Sequence, residues 1–151
     1  MVDVENRGGN IRMNITIIDG QGGQLGAQLV KEITRQFCDI SITAIGTNAV
    51  ATAAMLKAGA SQAATGENPV VVACRKADVI IGPIGIVIAD SMLGEITDKM
   101  AVAVGRANAV RILIPMNKCE NMVAGVPDLN MGALIGDAIA KLRHIVEKNL
   151  S

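Results

Sequence analysis

Short apolar runs of strand length alternate with segments of helical periodicity along this chain. The runs occupy residues 14–19 (NITIID), 40–46 (ISITAIG), 78–82 (DVIIG) and 110–115 (VRILIP). They carry many β-branched residues and look apolar on both faces, as is typical of strands buried in a parallel sheet. Strands that alternate with helices predict right-handed crossovers with helices on both sides of the sheet. We therefore expect an α/β fold.

Helical patterns fill the intervals between these runs. Leu25, Leu29, Ile33 and Phe37 repeat every four residues and predict a helix over about 23–37. Further helices are predicted at 48–58, with Asn48 as N-cap and Gly59 as terminator, at 67–77, at 86–105 and at the C-terminus. Weaker strands are predicted at 61–65 and 121–126. The pattern as a whole predicts a three-layer sandwich with a mostly parallel sheet, which is a Rossmann-like fold.

The length and the polarity of the N-terminus set the domain organisation. A chain of 151 residues fits one domain of ordinary size. Residues 1–12 are polar and lack an apolar period. We expect a disordered N-terminal arm over 1–12 and a single Rossmann-like domain over 13–151.

The charge balance and the longest apolar run exclude two classes of partner. Fourteen basic residues balance 14 acidic ones, and Phe37 is the only aromatic residue, so a nucleic-acid partner is disfavoured. Residues 79–89 are interrupted by Pro83 and fall well short of the roughly 20 residues that cross a bilayer. The N-terminus has no apolar segment typical of a signal peptide. We expect a cytoplasmic protein with no membrane partner.

The high apolar content predicts self-association. Half of the residues are hydrophobic, and the predicted helix at 48–58 carries Lys57 as its only charge. A helix that is apolar all round must be covered on both sides. We therefore expect a homo-oligomer, a dimer or larger.

The cysteines indicate neither a disulfide framework nor a metal site. Cys38, Cys74 and Cys119 are odd in number and widely spaced. Buried, unreactive thiols are the favoured interpretation. Cys119 lies beside Lys118, which would favour its thiolate, but His144 is the only histidine and falls in the last predicted helix. The role of Cys119 is left open.

Four glycines lie within seven positions between the first strand and the first helix. Gly20 would permit a sharp exit from the strand, Gly22 and Gly23 would let a ligand approach the main-chain amides, and Gly26 would let the helix pack closely on the strand. The pattern is a spacing variant of the dinucleotide-binding fingerprint, whereas the absence of a following Lys-Ser/Thr excludes a P-loop. A ligand-free tight turn is the alternative.

Two further loops are expected at the same edge of the sheet. Thr47 and Asn48 follow the second strand, where NAD sites usually place an acid, so NAD is weakened and NADP is not established. A mononucleotide or a smaller phosphorylated ligand stays open, and the cofactor, NAD(P) or another nucleotide, is unassigned. The predicted binding residues are Asp19, Gly20, Gln21, Gly22, Gly23, Gln24, Leu25, Gly26, Thr47, Asn48, Gly82, Pro83, Ile84 and Gly85.

Acidic residues follow the third loop. Asp90, Ser91 and Glu95 would share one sector of the predicted helix at 86–105, so a water-bound Mg²⁺ is conceivable. A solvated helix face explains the same residues with fewer assumptions. We predict no metal site.

Several stretches resemble a known family. The segments IDGQGGQLG, GTNAVATAAMLKAGA, ATGENPVVVACRKADVIIGPIGIVIADSMLGEIT and ILIPMN are similar to those of small bacterial proteins that share a domain of unknown function. This resemblance implies a cytosolic Rossmann-like protein and no particular activity. The GQLG of the first loop is also similar to the nucleotide-fold entry of biotin-carboxylase-like ligases, although nothing here resembles their ATP-grasp domain.

Two functions follow as hypotheses. The first is a protein that binds a nucleotide or phosphate ligand, with the glycine loop at the phosphate. The second is a non-catalytic oligomeric interaction or regulatory module with no bound nucleotide. No catalytic residue is assigned, and whether the chain is an enzyme is left open.

Overall fold

Five parallel strands form the central sheet of the computed structural model, which describes residues 6–7, 10–116 and 121–150. The strands are β1 (Met13–Asp19), β2 (Ile40–Gly46), β3 (Gln62–Thr65), β4 (Val79–Pro83) and β5 (Val110–Ile114). Their order across the sheet is β3-β2-β1-β4-β5, and every pairing is parallel. This order is that of a doubly wound α/β sheet, so the predicted Rossmann-like fold is confirmed.

Helices cover both faces of the sheet. They are α1 (Gln24–Gln36), α2 (Ala49–Lys57), α3 (Glu67–Cys74), α4 (Asp98–Arg106) and α5 (Met131–Leu150). Helices α2 and α5 flank α1 on one face, whereas α3 and α4 pack together on the other. The predicted three-layer sandwich is therefore confirmed.

The core is divided by the sheet into two apolar clusters. On the α1 side, Ile15 and Ile17 of β1 are fully buried against Leu29 and Ile33. On the other side, Ile80 of β4 packs among buried residues of α3 and α4. Burying one such side chain stabilises the fold by about 1.5–3 kcal/mol, so these clusters hold the strand ends in place for the loops above them.

Strand β4 is buried along its whole length and is apolar on both faces, as expected. Strands β1 and β2 are not, although their composition suggested it. Asn14 and Thr16 of β1 alternate with buried isoleucines, and Ser41 and Thr43 of β2 do the same. Side chains along a strand alternate between faces, so these four residues lie on the α3 side of the sheet. The expectation is wrong here because strand length and β-branching do not distinguish a fully covered face from a partly open one.

The predicted helix at 86–105 is also wrong in its first half. Ile84–Val87 form a single 3₁₀ turn, and α4 begins only at Asp98, where the Thr97 hydroxyl accepts a hydrogen bond from the Met100 amide. Between them, Asp90 and Met92 have φ angles of 66° and 58°, which an α-helix does not contain. The apolar spacing was misleading because this turn segment buries its own apolar residues.

The remaining predictions concern the strand at 121–126, the N-terminal arm and Cys119. Residues 121–130 form no strand, since Met122 is 95% exposed and Gly125 has a φ of 78° within a turn. In the N-terminal segment, Asn6–Arg7 pair antiparallel with Asn10–Ile11, and residues 1–5 and 8–9 lie outside the described residues, so the disordered arm stays a prediction. Cys119 also lies outside the described residues.

The described thiols differ from the expectation in one case. Cys74 is buried, as expected, and desolvation raises its pKa to about 11. Cys38 is exposed, because it follows the last turn of α1 rather than packing beneath it, so the prediction of a buried thiol is wrong there. Among the helices of the described ranges, none is long and apolar enough to traverse a bilayer.

Candidate functional site

The loops after β1, β2 and β4 begin at one edge of the sheet. Asp19 at the end of β1 pairs with Gly46 at the end of β2, and Ile17 pairs with Ile81 in β4. The chain crosses to one face after β1 and to the other face after β3, so β1 and β4 flank a topological switch point. Doubly wound sheets bind ligands at this position. The structure thus brings the three predicted loops to the expected edge.

Asp19 anchors the glycine loop to α1. The side chain is 6% exposed, and its two oxygens accept hydrogen bonds from the amides of Gly20 and Gly26, each at 2.8 Å. Burial raises the pKa of Asp19, the two amide bonds partly oppose this rise, and the nearby Glu95 carboxylate adds to it. Since both oxygens are used, Asp19 serves here to hold the loop.

Glu95 joins the loops after β1 and β2. The space between residues 20–26, 47–48 and 82–85 is called the crevice below, and Glu95 lies at its mouth. One carboxylate oxygen, Oε2, accepts hydrogen bonds from the Gln21 amide at 2.9 Å and from the Thr47 hydroxyl at 2.6 Å. The other oxygen, Oε1, accepts from the Asn48 side-chain amide at 3.1 Å, and Asn48 also donates to the Gln21 carbonyl. Donors from the loops after β1 and β2 therefore converge on one anionic group.

The electrostatics of Glu95 show that these donors favour a negative charge. Partial burial by itself raises the pKa of Glu95, but the bonds from Thr47, the Gln21 amide and Asn48 outweigh burial and leave the pKa below its ordinary value. Hydrogen bonds donated to a carboxylate stabilise its charged form. These donors thus stabilise the charged form of the Glu95 carboxylate.

Sequence reasoning did not find this role for Glu95. Glu95 lies 74 positions from Gln21. The sequence pattern assigns it to a solvated helix face, whereas the structure has turns here and α4 begins only at Asp98. The acid that NAD sites place after the second strand is absent from β2, yet Glu95 reaches Thr47 and Asn48 at the same place. Only the turn geometry of residues 88–97 brings it there, and no local motif encodes that geometry.

Met92 fills the space between the first and third loops. A Cβ built on Gly20 would lie 2.7 Å from the Met92 sulfur, and one built on Gly85 would lie 3.5 Å from its terminal methyl. The Gly85 carbonyl accepts a hydrogen bond from the Ser91 hydroxyl. Gly82, Pro83 and Gly85 of this loop are buried, and Ile84 between them is partly exposed.

The glycines of the first loop differ in what they allow. Gly23 has a φ of 74°, and a Cβ there would lie 2.6 Å from the Ala51 Cα, so the contact between α1 and α2 requires glycine. A Cβ on Gly26 would lie 2.5 Å from the Met55 sulfur. Gly22 is exposed, has no positive φ and has nothing within 4 Å of a built Cβ. The loop's own packing therefore requires no glycine at position 22.

The amides of the loop divide into occupied and open ones. Those of Gly20 and Gly26 donate to Asp19, and that of Gln21 donates to Glu95. The Gly23 amide donates to the Gly20 carbonyl. A second set of main-chain amides has no acceptor in the described part of the chain. That set comprises the amides of Gly22, Gln24 and Leu25. They lie at the start of the 13-residue helix α1, where the helix dipole favours negative charge.

The comparisons with known proteins identify the family. The sequence model of a protein family, the domain of unknown function DUF3842, matches residues 14–147. The chain belongs to this family. The family description names no activity, in agreement with the resemblance seen in the sequence, and a comparison with curated proteins found no match.

One similar solved structure is the quinone oxidoreductase from Thermus thermophilus, determined alone and in complex with NADPH. The identity is 17% and the TM-score 0.39 over 85% of this chain. The match spans 44% of the oxidoreductase chain.

The described residues contain no cluster of His, Cys, Asp or Glu side chains arranged to hold a metal ion. Hydrogen-bond donors that could hold a cofactor are the open amides of Gly22, Gln24 and Leu25 and the donors bound to Glu95. These groups suit a phosphate, since they all donate hydrogen bonds.

Proposed function

We propose that this DUF3842 chain binds a small phosphorylated ligand, such as a nucleotide, with its phosphate at the start of α1. The observation that carries this proposal is the set of hydrogen bonds to the Glu95 carboxylate. The Gln21 amide, the Thr47 hydroxyl and the Asn48 side-chain amide all donate to it. A carboxylate and a phosphate share negative charge and acceptor oxygens. Glu95 occupies the position that the phosphate of the ligand would take.

Binding requires Glu95 to leave. Two anions cannot share the same donors without strong repulsion, so the phosphate of the ligand must displace the Glu95 carboxylate from these donors. The phosphate then gains the open amides of Gly22 and Gln24, which Glu95 does not use. The gain of main-chain donors favours the phosphate over the carboxylate and supplies the free energy for the exchange.

The proposal assigns a position to the phosphate, and titration identifies the remainder of the ligand. Isothermal titration of the full chain against NAD(H), NADP(H), ATP, GTP, nucleoside monophosphates and inorganic phosphate separates dinucleotides from smaller ligands. Gly22→Asp places a carboxylate beside the open amides, and Gly22→Asn adds the same volume without charge. Both variants fit the open space around Gly22.

Gly22→Asp is expected to weaken binding of the best ligand at least about tenfold relative to Gly22→Asn, a difference of about 1.4 kcal/mol. A folded chain that binds none of these compounds contradicts the proposal. Equal affinity of the two Gly22 variants also contradicts it, because the phosphate would then lie elsewhere.

A second candidate is an oligomeric interaction module with no bound nucleotide. Val50 and Leu56 on the outer face of α2 are 67% and 53% exposed, and Ala53 lies exposed between them. An apolar helix face in water favours self-association. This candidate predicts a dimer or larger in solution, and it does not exclude ligand binding at the crevice. The cytoplasmic location and the bacterial origin stay predictions.

A further inference from the structure

A groove of about 1030 Å³ lies on the α3 side of the sheet, away from the glycine loop. Its floor is formed by β1, β2 and β3, and one wall is α3, which has eight residues. None of the residues that line it belongs to the crevice described above. Ligand sites commonly measure about 300–1,000 Å³, so the groove is large enough for a small molecule.

Strand register arranges polar side chains in rows on the groove floor. Thr16 of β1 pairs with Thr43 of β2, and Thr43 pairs with Gln62 of β3. A second row pairs Asn14 with Ser41. A parallel sheet in this fold class usually has apolar residues on a face that a helix covers. Polar rows here indicate a face that is matched to a polar occupant.

Several of these groups have unused hydrogen-bonding capacity. Thr16 is 2% exposed, yet its hydroxyl has no hydrogen bond with any group in the described ranges. In the described ranges, every side-chain oxygen or nitrogen that is fully enclosed has a hydrogen-bond partner. The Thr16 hydroxyl has none, so it is not fully enclosed, and it faces the groove that Thr16 lines. The Ser41 hydroxyl is likewise without a partner among the described residues.

The charges of the groove favour one negative group. Arg12 and Lys76 line it, and the Asn14 side chain donates to the Lys76 carbonyl at 3.5 Å, which places that residue near the start of β1. Neither cation has an acidic partner in the parts of the chain that the structure describes. Asp39 is the acidic residue of the lining. Arg12, Lys76 and Asp39 together give the lining a net charge of +1.

We infer that this groove binds a multiply hydroxylated small molecule that carries one anionic group, the chemistry of a sugar phosphate or a sugar acid. The hydroxyls and amides of Thr16, Ser41 and Gln62 both donate and accept, as polyol recognition requires. The anionic group lies toward Arg12 and Lys76. A second copy of the chain fits less well, because interface cores favour apolar and aromatic residues over short hydroxyl side chains.

The test is a titration of the full chain followed by ¹H–¹⁵N correlation spectra. The probes are glucose 6-phosphate and glucuronate, with glucose and inorganic phosphate as the two halves. We expect one of the charged sugars to shift the amide signals of Thr16, Ser41 and Thr43 and to bind at least about tenfold tighter than either half alone. Which of the two binds tighter distinguishes a phosphate from a carboxylate.

Two variants locate the binding. Lys76→Met is expected to weaken the charged sugar about tenfold and to leave glucose unchanged, since it removes one charge worth about 1.4 kcal/mol. Thr43→Val keeps the side-chain shape and is expected to weaken both. Lys57→Met, on α2 and outside the groove, is the matched control and should bind as the parent chain does.

Three outcomes would overturn the inference. One is the absence of shifts with all four probes, and another is a set of shifts confined to residues 20–26 and 47–48, which would assign binding to the crevice instead. The third is a set of groove shifts that depends on protein concentration alone and coincides with a doubled mass, which would make a second copy the occupant.

Discussion

The Gln21 amide donates a hydrogen bond of 2.9 Å to the Glu95 carboxylate, although the two residues lie 74 positions apart. This bond joins the loop before α1 to the turns before α4 and so links helices on opposite faces of the sheet. The same carboxylate occupies donors that the proposed ligand needs. Stability and ligand affinity are therefore expected to respond in opposite directions when Glu95 changes.

Glu95→Gln is expected to increase affinity for inorganic phosphate and for the best nucleotide by about tenfold or more, a gain of about 1.4 kcal/mol. The amide is nearly the same size but carries no charge, so it competes more weakly and does not repel the phosphate. Isothermal titration measures the change. Glu147→Gln, on the exposed surface of α5, is the control for net charge.

The opposite result would assign Glu95 another role. If Glu95→Gln weakens nucleotides and leaves inorganic phosphate unchanged, the carboxylate accepts hydrogen bonds from ligand hydroxyls, as the acid after the second strand does in dinucleotide sites. Glu95 would then be part of the ligand site, and its interpretation as a displaceable anion would be wrong.

The stabilising effect of Glu95 should depend on pH. Its pKa in the folded chain lies below the ordinary 4.5, so the contribution of its charge is present above that value and is lost as pH falls through the folded pKa. The pKa of Asp19 is raised above 3.8, so its own contribution is fully present below that value and is lost as pH rises through the folded pKa. The two residues thus act with opposite signs.

Comparing the parent chain with Glu95→Gln isolates the first effect. Losing the charged hydrogen bonds of Glu95 should cost about 1–2 kcal/mol near neutral pH. The parent chain should then melt a few degrees higher, and this difference should shrink as pH falls below 4.5 and through the folded pKa of Glu95. Thermal unfolding by circular dichroism from neutral to acid pH checks it. A difference that grows on acidification would show that the charge of Glu95 does not stabilise the fold.

Two neighbouring glycines should differ sharply in their tolerance of alanine. Gly23→Ala combines a φ of 74° with a Cβ 2.6 Å from the Ala51 Cα, so either the α1–α2 contact or the loop must move. We expect a loss of about 2–4 kcal/mol in the free energy of unfolding from overpacking and the left-handed backbone. Gly22→Ala should stay within about 0.5 kcal/mol, since its Cβ meets open space. Urea unfolding measures both, and equal losses would contradict this assignment.

Much of the architecture was predictable because it depends on local periodicity. The β2 bounds, the α1 stripe of Leu25, Leu29 and Ile33, and the Asn48 cap, whose side chain accepts from the Ala51 amide at 2.9 Å, all follow from patterns within about 15 residues. The edge on which the three loops meet follows in turn from parallel strands. These features needed no knowledge of distant contacts.

The missed features depend on contacts between distant segments. Three consecutive residues with positive φ, Met92, Leu93 and Gly94, carry Glu95 to the glycine loop. Nothing in the local sequence separates that path from the start of a helix. The polar floor of the groove was missed for a related reason. Whether Thr16 or Thr43 faces a helix or an open groove depends on the length of α3, which belongs to another part of the chain.

The outer face of α2 should control self-association. Ala53→Glu places a charge between the exposed Val50 and Leu56 and should convert an oligomer to a monomer, because an unpaired charge at an apolar contact is costly. Ala53 is a better probe than its neighbour Ala54, which is partly buried and would also disturb the fold. Multi-angle light scattering measures the mass, with Ala53→Ser as the control. A parent chain that is monomeric at high concentration would remove this face from any interface.

The two described thiols should differ in their reaction with iodoacetamide. Desolvation raises the pKa of Cys74 to about 11, so only about one thiol in a thousand is ionised at pH 8, and its buried position blocks the reagent further. Cys38 is exposed and should be alkylated rapidly in the folded chain. Peptide mapping by mass spectrometry distinguishes the sites, and unfolding in urea before labelling should make the two react alike. Rapid labelling of Cys74 in the folded chain would mean that α3 opens readily and that the core on that side of the sheet is less stable than its packing indicates.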